Sequence, residues 1–245
     1  MKTFTKLVLQ KVLGFKNYLF IFSLFIIATL KRNKKEGDFL YFLSLLNENT
    51  VLLDVGANIG VMTVHMAKKF PQAQVFAYEP VPENYSTLQR VVGFFNLKNV
   101  TAFNFALGNS EGEIRFVMPE IKKVKFQGLS HIDDGRNLTD EAGQKYLVPM
   151  RKLDNLNELN SIDKPIGGIK IDVENYEYQV LAGGIRLISK YKPIIYAELW
   201  ENQNRLDCMK LLTEIGYYVF ILENGNLIRF EPGKHKTQNF FFIAG

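Results

Sequence analysis

The chain has 245 residues, 47% hydrophobic and 22% charged, which suits one sizeable buried core: a single α/β domain with an appendage. Its one cysteine, Cys208, excludes an internal disulfide and has no His or Cys spaced to share a metal, so a reducing cytoplasm fits best. The net charge of +5 is uneven: eight basic side chains against Glu36 give residues 1–36 a charge of +7, so the remainder carries −2 and has no excess to hold a phosphate backbone, which argues against nucleic acid as a substrate.

Residues 18–30 form an almost unbroken apolar run, bracketed by Lys11 and Lys16 before it and by Lys31, Arg32, Lys34 and Lys35 after it. Spanning a bilayer takes about 20 residues, so the run is short, and the basic flanks on both sides set no orientation. No small-residue cleavage site follows, so a signal peptide fits poorly. Three readings stay open for residues 1–36: a helix at a membrane surface, a helix docked on the domain or a partner, and a true span. The first implies an active site in the cytoplasm, held at a membrane by the arm.

Residues 37–245 read as one domain. Residues 39–46 are apolar at helical spacing, and residues 51–56 are a buried strand running into a glycine turn. A helix over 61–70, a strand over 75–79, a helix over 83–95 and a strand over 100–107 follow, an order that implies a parallel sheet with right-handed crossovers. Residues 113–118 alternate like an edge strand. Residues 119–147, with Gly128, Gly135 and Gly143, show no sustained period and read as an insertion or mobile loop. Regularity returns with 148–153, a strand over 167–172, a helix over 176–188, a strand over 193–199 and a helix over 205–215. The segments 217–222, 227–230 and 239–243 supply antiparallel pairs that close the sheet.

Asp54 ends the first strand, and Gly56 and Gly60 flank the turn into the first helix, where an open α/β sheet binds ligands. Gly56 allows unusual dihedrals, and Gly60 lets a cofactor approach the helix start. A dinucleotide loop needs glycine at position 58, where Asn58 stands. A sulfonium amino acid suits the site better, with Asp54 accepting from its ammonium directly or through water. Glu79 closes the second strand at the spacing of a carboxylate that accepts both hydroxyls of a ribose.

The segments Asp54-Val55-Gly56-Ala57-Asn58-Ile59-Gly60, Tyr78-Glu79-Pro80, Ala106-Leu107-Gly108, Arg151-Lys152-Leu153-Asp154 and Ile169-Lys170-Ile171-Asp172-Val173-Glu174, continued by stretches from Tyr176, Pro193 and Asn239, together resemble the FkbM family of methyltransferases over residues 38–243. The resemblance implies a class I methyltransferase fold: a doubly wound, mostly parallel seven-stranded Rossmann-like sheet with an antiparallel C-terminal hairpin, preceded here by the apolar helix. It implies S-adenosylmethionine as cofactor, held by Asp54, Gly56, Asn58, Gly60, Glu79 and Ala106, and O-methylation of a sugar, glycan or secondary metabolite. Asn175 departs from the glycine common after the acidic pair, though asparagine tolerates a left-handed backbone.

Asp172 is expected at the end of the fourth strand. If extension persists, Lys170, Asp172 and Glu174 share a face, where they could deprotonate a hydroxyl or hold a divalent cation; a structural ion pair is the alternative. Glu198, ending the next strand, completes the acidic cluster. His65 reads as a surface or partly packed residue, His131 as a loop residue within reach of substrate, and His235 as a solvated turn. The runs Phe94-Phe95 and Phe240-Phe241-Phe242 read as core. A Rossmann-type oxidoreductase and a catalytically silent membrane-anchored binding module are the competing functions.

Overall fold

The computed structural model describes residues 3–121, 123–126, 130–132 and 143–245. At its centre is a sheet whose first parallel strands are β1 (Val51–Val55), β2 (Gln74–Tyr78), β3 (Val100–Phe103), β9 (Ile166–Ile171) and β10 (Ile194–Glu198). The antiparallel strands β11 (Tyr217–Glu223), β12 (Asn226–Arg229) and β13 (Asn239–Ala244) complete an order of β12-β11-β13-β10-β9-β1-β2-β3. The sheet therefore has eight strands rather than seven, because the Asn224-Gly225 turn, both residues at positive φ, folds β12 back on β11. Every residue of β1 is buried, as expected of a parallel strand covered on both faces.

The two faces bury different cores. Val51, Leu53 and Val55 point toward helices α7 (Glu177–Gly183), α8 (Ile185–Tyr191) and α9 (Gln203–Glu214) through Val180, Ile188 and Leu212. Leu52 points the other way, onto Phe42 of α3 (Gly37–Leu45) and Met66 of α4 (Val61–Lys69). The expected single helix over 176–188 is broken at Gly184, where a Cβ would stand 2.7 Å from Leu153 Cδ2, so the chain kinks to fit. α5 (Pro82–Phe94) starts with proline at its first turn, where the missing N–H costs nothing.

The expected third strand over 100–107 divides. β3 ends at Phe103, and β4 (Ala106–Leu107) leaves for a second sheet of five strands, unforeseen in the sequence. There β5 (Gly112–Ile121) pairs antiparallel with β8 (Gly143–Arg151), β6 (Val124–Lys125) and β7 (His131–Ile132). Residues 119–121 and 143–147, read as part of a loop, thus lie in a long ribbon. Gly128 and Gly135 lie outside the described residues, while Gly143 faces Pro119 across the ribbon.

The N-terminal arm is docked rather than detached. α1 (Thr3–Leu13) and α2 (Phe15–Thr29) meet at Gly14, bent by 118°, and no single helix among the described residues is long and apolar enough to cross a membrane. α2 buries Tyr18 and Leu19 against Ile59, and Ile27 against Val64 and Val91, so it clamps α4 and α5. Phe240, Phe241 and Phe242 are core as expected, but Phe94 is 60% exposed at the end of α5.

Candidate active site

Strand β1 has β2 on one side and β9 on the other, which makes β1/β9 the point where chain order reverses. Ligands of open α/β sheets bind at the carboxyl ends of strands flanking such a point. Gly56 follows β1 and Asp172 follows β9, and their backbones nearly touch: a Cβ on Gly56 would lie 1.9 Å from the Asp172 carbonyl oxygen. At φ 74°, Gly56 also needs the left-handed region, so both sterics and dihedrals demand glycine.

The turn that follows is fastened to β2. The N–H groups of Gly56 and Ala57 both donate to the Tyr78 carbonyl at 3.0 Å, and the Asn58 N–H donates to Glu79 Oε2 at 2.8 Å. Glu79 Oε1 accepts from the Val81 N–H at 2.9 Å and from Asn84. Burial pushes the Glu79 carboxyl up to about 7, against these hydrogen bonds and Lys170, which favour the charged form.

A cleft of about 690 Å³, counting its open mouth, lies between these groups. Gly56, Asn58, Glu79, Ala106, Asp172 and Glu174 all line it, which unites six of the expected site residues. Val81, Phe105 and Leu107 give it an apolar wall, and Phe116 and Ile132 of the second sheet, with Ser130 just before β7, also line it. Asn58 Oδ1 is buried with no hydrogen-bond partner among the described residues. A buried acceptor of this kind calls for a donor.

Four expected residues stand behind the wall. Asp54 is fully buried, accepting from the Thr63 hydroxyl and pairing with Lys170 Nζ at 3.2 Å, so in this arrangement it anchors the turn and is not among the residues lining the cleft. Lys170, also buried, donates to the Gly56 carbonyl at 2.8 Å and lies 3.7 Å from Asp172 Oδ2. Its ammonium pKa is raised: desolvation opposes the charge, but Asp54 and Asp172 together outweigh it. Gly60, at φ 85°, packs against α5, where an added Cβ would lie 2.8 Å from Leu88 Cδ1, and it is not among the residues lining the cleft. Glu198 ends β10 near Asp172, off the cleft wall.

Extension does not persist beyond β9. Glu174 and Asn175 are both left-handed, at φ 52° and 71°, so Glu174 reaches the cleft through a turn and not along a strand face. That turn is pinned by Glu177, whose Oε1 accepts from the Asn175 N–H at 3.1 Å, and by Asn202, which donates to Asn175 Oδ1 at 2.7 Å. Burial, and then the charges of Asp172, Glu198 and Glu177, push the Glu174 carboxyl up to about 7.

Sequence reasoning missed Glu36 and Asp38. Burial raises the pKa of both; for Glu36 the next cause is the charge of Asp172, which places this residue of the arm beside the site. Only the packing of α3 on the sheet face over β1, β10 and β13 brings them there, and no motif marks it. Glu177, Asn84 and Tyr176 were likewise invisible as site supports. Of the histidines, His65 donates through Nε2 to the Ile27 carbonyl at 3.1 Å, packed under the arm, and His235 Nδ1 accepts from the Glu231 N–H in an exposed turn. His131 lies in β7 and is not among the residues lining the cleft. No three His, Cys, Asp or Glu side chains among the described residues converge to hold a metal, so the divalent cation has no set of ligands there.

The methyltransferase FkbM domain model matches residues 54–223. The chain belongs to the FkbM methyltransferase family. Among its relatives, Methyltransferase 1 of Beauveria bassiana is 29% identical over 147 residues, covering 56% of this chain and 59% of that protein. Methyltransferase sdnD of Sordaria araneosa is 30% identical over 168 residues, covering 60% of this chain and 64% of that protein. The matches thus span about six-tenths of the length of these relatives. A crystal structure of Methyltransferase FkbM from Methylobacillus flagellatus shares the fold with a TM-score of 0.53 at 18% identity, over 82% of this chain and 45% of that one.

Proposed function

We propose that the chain transfers a methyl group from S-adenosylmethionine to a hydroxyl oxygen of a small molecule or glycan. The observation that carries this reading is the meeting of the Gly56–Asn58 turn, Glu79 and the Asp172–Glu174 pair in one cleft. The lining suits the cofactor: Glu79 offers a carboxylate to a ribose diol, Asn58 Oδ1 an unpaired acceptor to an amine, and Val81, Phe105, Ala106 and Leu107 an apolar wall to a flat base. Family membership favours methyl over hydride transfer. The cofactor supplies an activated methyl group on a sulfonium, already a good leaving centre.

The protein's own work is then to orient and deprotonate the acceptor. Glu174, its carboxyl raised to about 7, is suited to take the proton of the reacting hydroxyl, and Asp172 to orient the acceptor by accepting from a neighbouring hydroxyl or other donor group on it. The new bond is oxygen to methyl carbon; the bond lost is sulfur to methyl carbon; the proton resides on Glu174 until solvent removes it. Lys170 acts through others, as a positioning residue that ties Asp54, Gly56 and Asp172 together.

The test is transfer of radiolabelled methyl from S-adenosylmethionine to a panel of sugars and hydroxylated metabolites by the full chain. A labelled methyl ether formed by the native protein and lost in Asp172→Asn supports the reading. A folded chain that fails to bind the cofactor refutes it.

A further inference from the structure

A second cavity, sharing no lining residue with the cleft, lies between α2, α3, α4 and the end of α5, with about 1280 Å³ of space counting its open mouth. Its floor is apolar: Leu24, Ile27, Leu40, Leu43 and Phe95. Its rim carries Lys31, Lys68, Lys69 and His65, and no carboxylate lines it. Lys69 donates to the Leu43 carbonyl at 2.7 Å, and Lys68 stands 3.5 Å from the centre of the Phe95 ring, so both are held by neutral partners. Burial lowers the pKa of Lys68, Lys69 and His65, and the charge of Lys31 lowers Lys69 and His65 further. An anion at the rim would relieve that crowding.

Exposed apolar side chains also stand beside the groove. On α2, Ile21 is 49% and Phe25 62% exposed, on the side that continues one turn later to exposed Ala28 at the groove's edge. Phe94, 60% exposed, stacks edge-on against both Phe95 of the groove and Phe20 of α2. One turn before it on α5 lies Arg90, over the Phe20 ring at 3.8 Å. Large exposed apolar side chains therefore sit next to a cationic rim.

We propose that this face docks on an anionic bilayer, with Ile21, Phe25 and Phe94 entering the acyl boundary and an acidic phospholipid headgroup seated among Lys31, Lys68 and Lys69. The arm thus meets the membrane while docked on the domain, not as a free anchor. A soluble anion would use the lysines but not the three apolar side chains. The inference is independent of the methyl-transfer reading, since none of these residues touches the cleft.

The test is co-sedimentation of the full-length protein with phosphatidylcholine vesicles and with vesicles containing phosphatidylglycerol. Strong partition onto the second and weak partition onto the first is expected. Lys31→Gln/Lys68→Gln should reduce partition roughly tenfold or more, as each basic residue near an anionic surface contributes about 1 kcal/mol. Phe25→Ser/Phe94→Ser should reduce it as well, with an unchanged thermal unfolding curve and circular dichroism spectrum as the sign of an intact fold. A Phe25→Trp reporter, which keeps the exposed site aromatic, should blue-shift on the anionic vesicles. Equal partition onto both vesicle types, variants that bind like the native chain, an unshifted reporter, or displacement by soluble glycerol phosphate would each overturn the proposal.

Discussion

Gly56 and Asp172 meet backbone to backbone at the point where the sheet reverses, with room for a hydrogen but not a methyl group between them. Gly56→Ala should therefore force β1 and β9 apart and strain a left-handed residue, costing about 3 kcal/mol or more. A thermal or denaturant unfolding curve checks this. A variant as stable as the native chain would show that the two strand ends separate freely.

Lys170 fills a buried position between Asp54 and Asp172. Lys170→Met should leave Asp54 buried and unpaired, with a loss of roughly 3–5 kcal/mol. If instead the variant stays stable and only turnover falls, Lys170 acts on the reacting groups directly, and its role as a tie between the strand ends is wrong.

Glu79 carries a pH signature. Its folded pKa of about 7 lies above the ordinary 4.5, so its contribution to stability is full below about 4.5 and is lost as pH rises through about 7. A diol that donates to the ionised carboxylate reverses this preference. Cofactor affinity should then rise with pH up to about 7, and binding near pH 6.5 should release protons, readable by calorimetry in buffers of different ionisation enthalpy. Proton uptake instead would mean that the protonated form is the one that binds.

Glu174, also raised to about 7, should give the rate a rising limb with its midpoint near that pH. Glu174→Gln should lower kcat by about 100-fold or more and abolish the limb. A limb unchanged in the variant would assign the proton to another group.

Deleting residues 1–36 should destabilise the domain, because Tyr18, Leu19, Ile27 and Leu30 leave the core together. At about 1.5–3 kcal/mol for each buried side chain, the loss is several kcal/mol. A truncated chain with native stability would mean that α2 rests on the domain without supporting it.

What was legible in the sequence was whatever local chemistry determines. The Asp54–Gly60 turn, Glu79 after β2 and Asp172 after β9 follow from strand ends and glycine positions, and the cleft unites most of them. The second sheet escaped because β5 and β8 bond to each other across residues distant in sequence, and the alternation of 113–118 marks a strand without naming its partner. Asp54 and Lys170 looked like site-facing charges, since spacing along a strand cannot distinguish a side chain at the cleft from one beneath it. Glu174 was placed beside Asp172 by an extended backbone, yet reaches the same cleft through two left-handed residues that spacing alone does not reveal. Glu36 and Asp38 depend on how α3 crosses the sheet, a tertiary fact with no local mark.

The central claim is that the cleft holds S-adenosylmethionine through Glu79. Calorimetric titration of S-adenosylhomocysteine into the folded full-length chain and into Glu79→Ala tests it most directly. We expect saturable one-to-one binding to the native chain and a loss of about 100-fold or more in the variant, roughly what removing a charged acceptor from two hydrogen bonds costs. No binding to the native chain, or equal affinity in the two proteins, would contradict it.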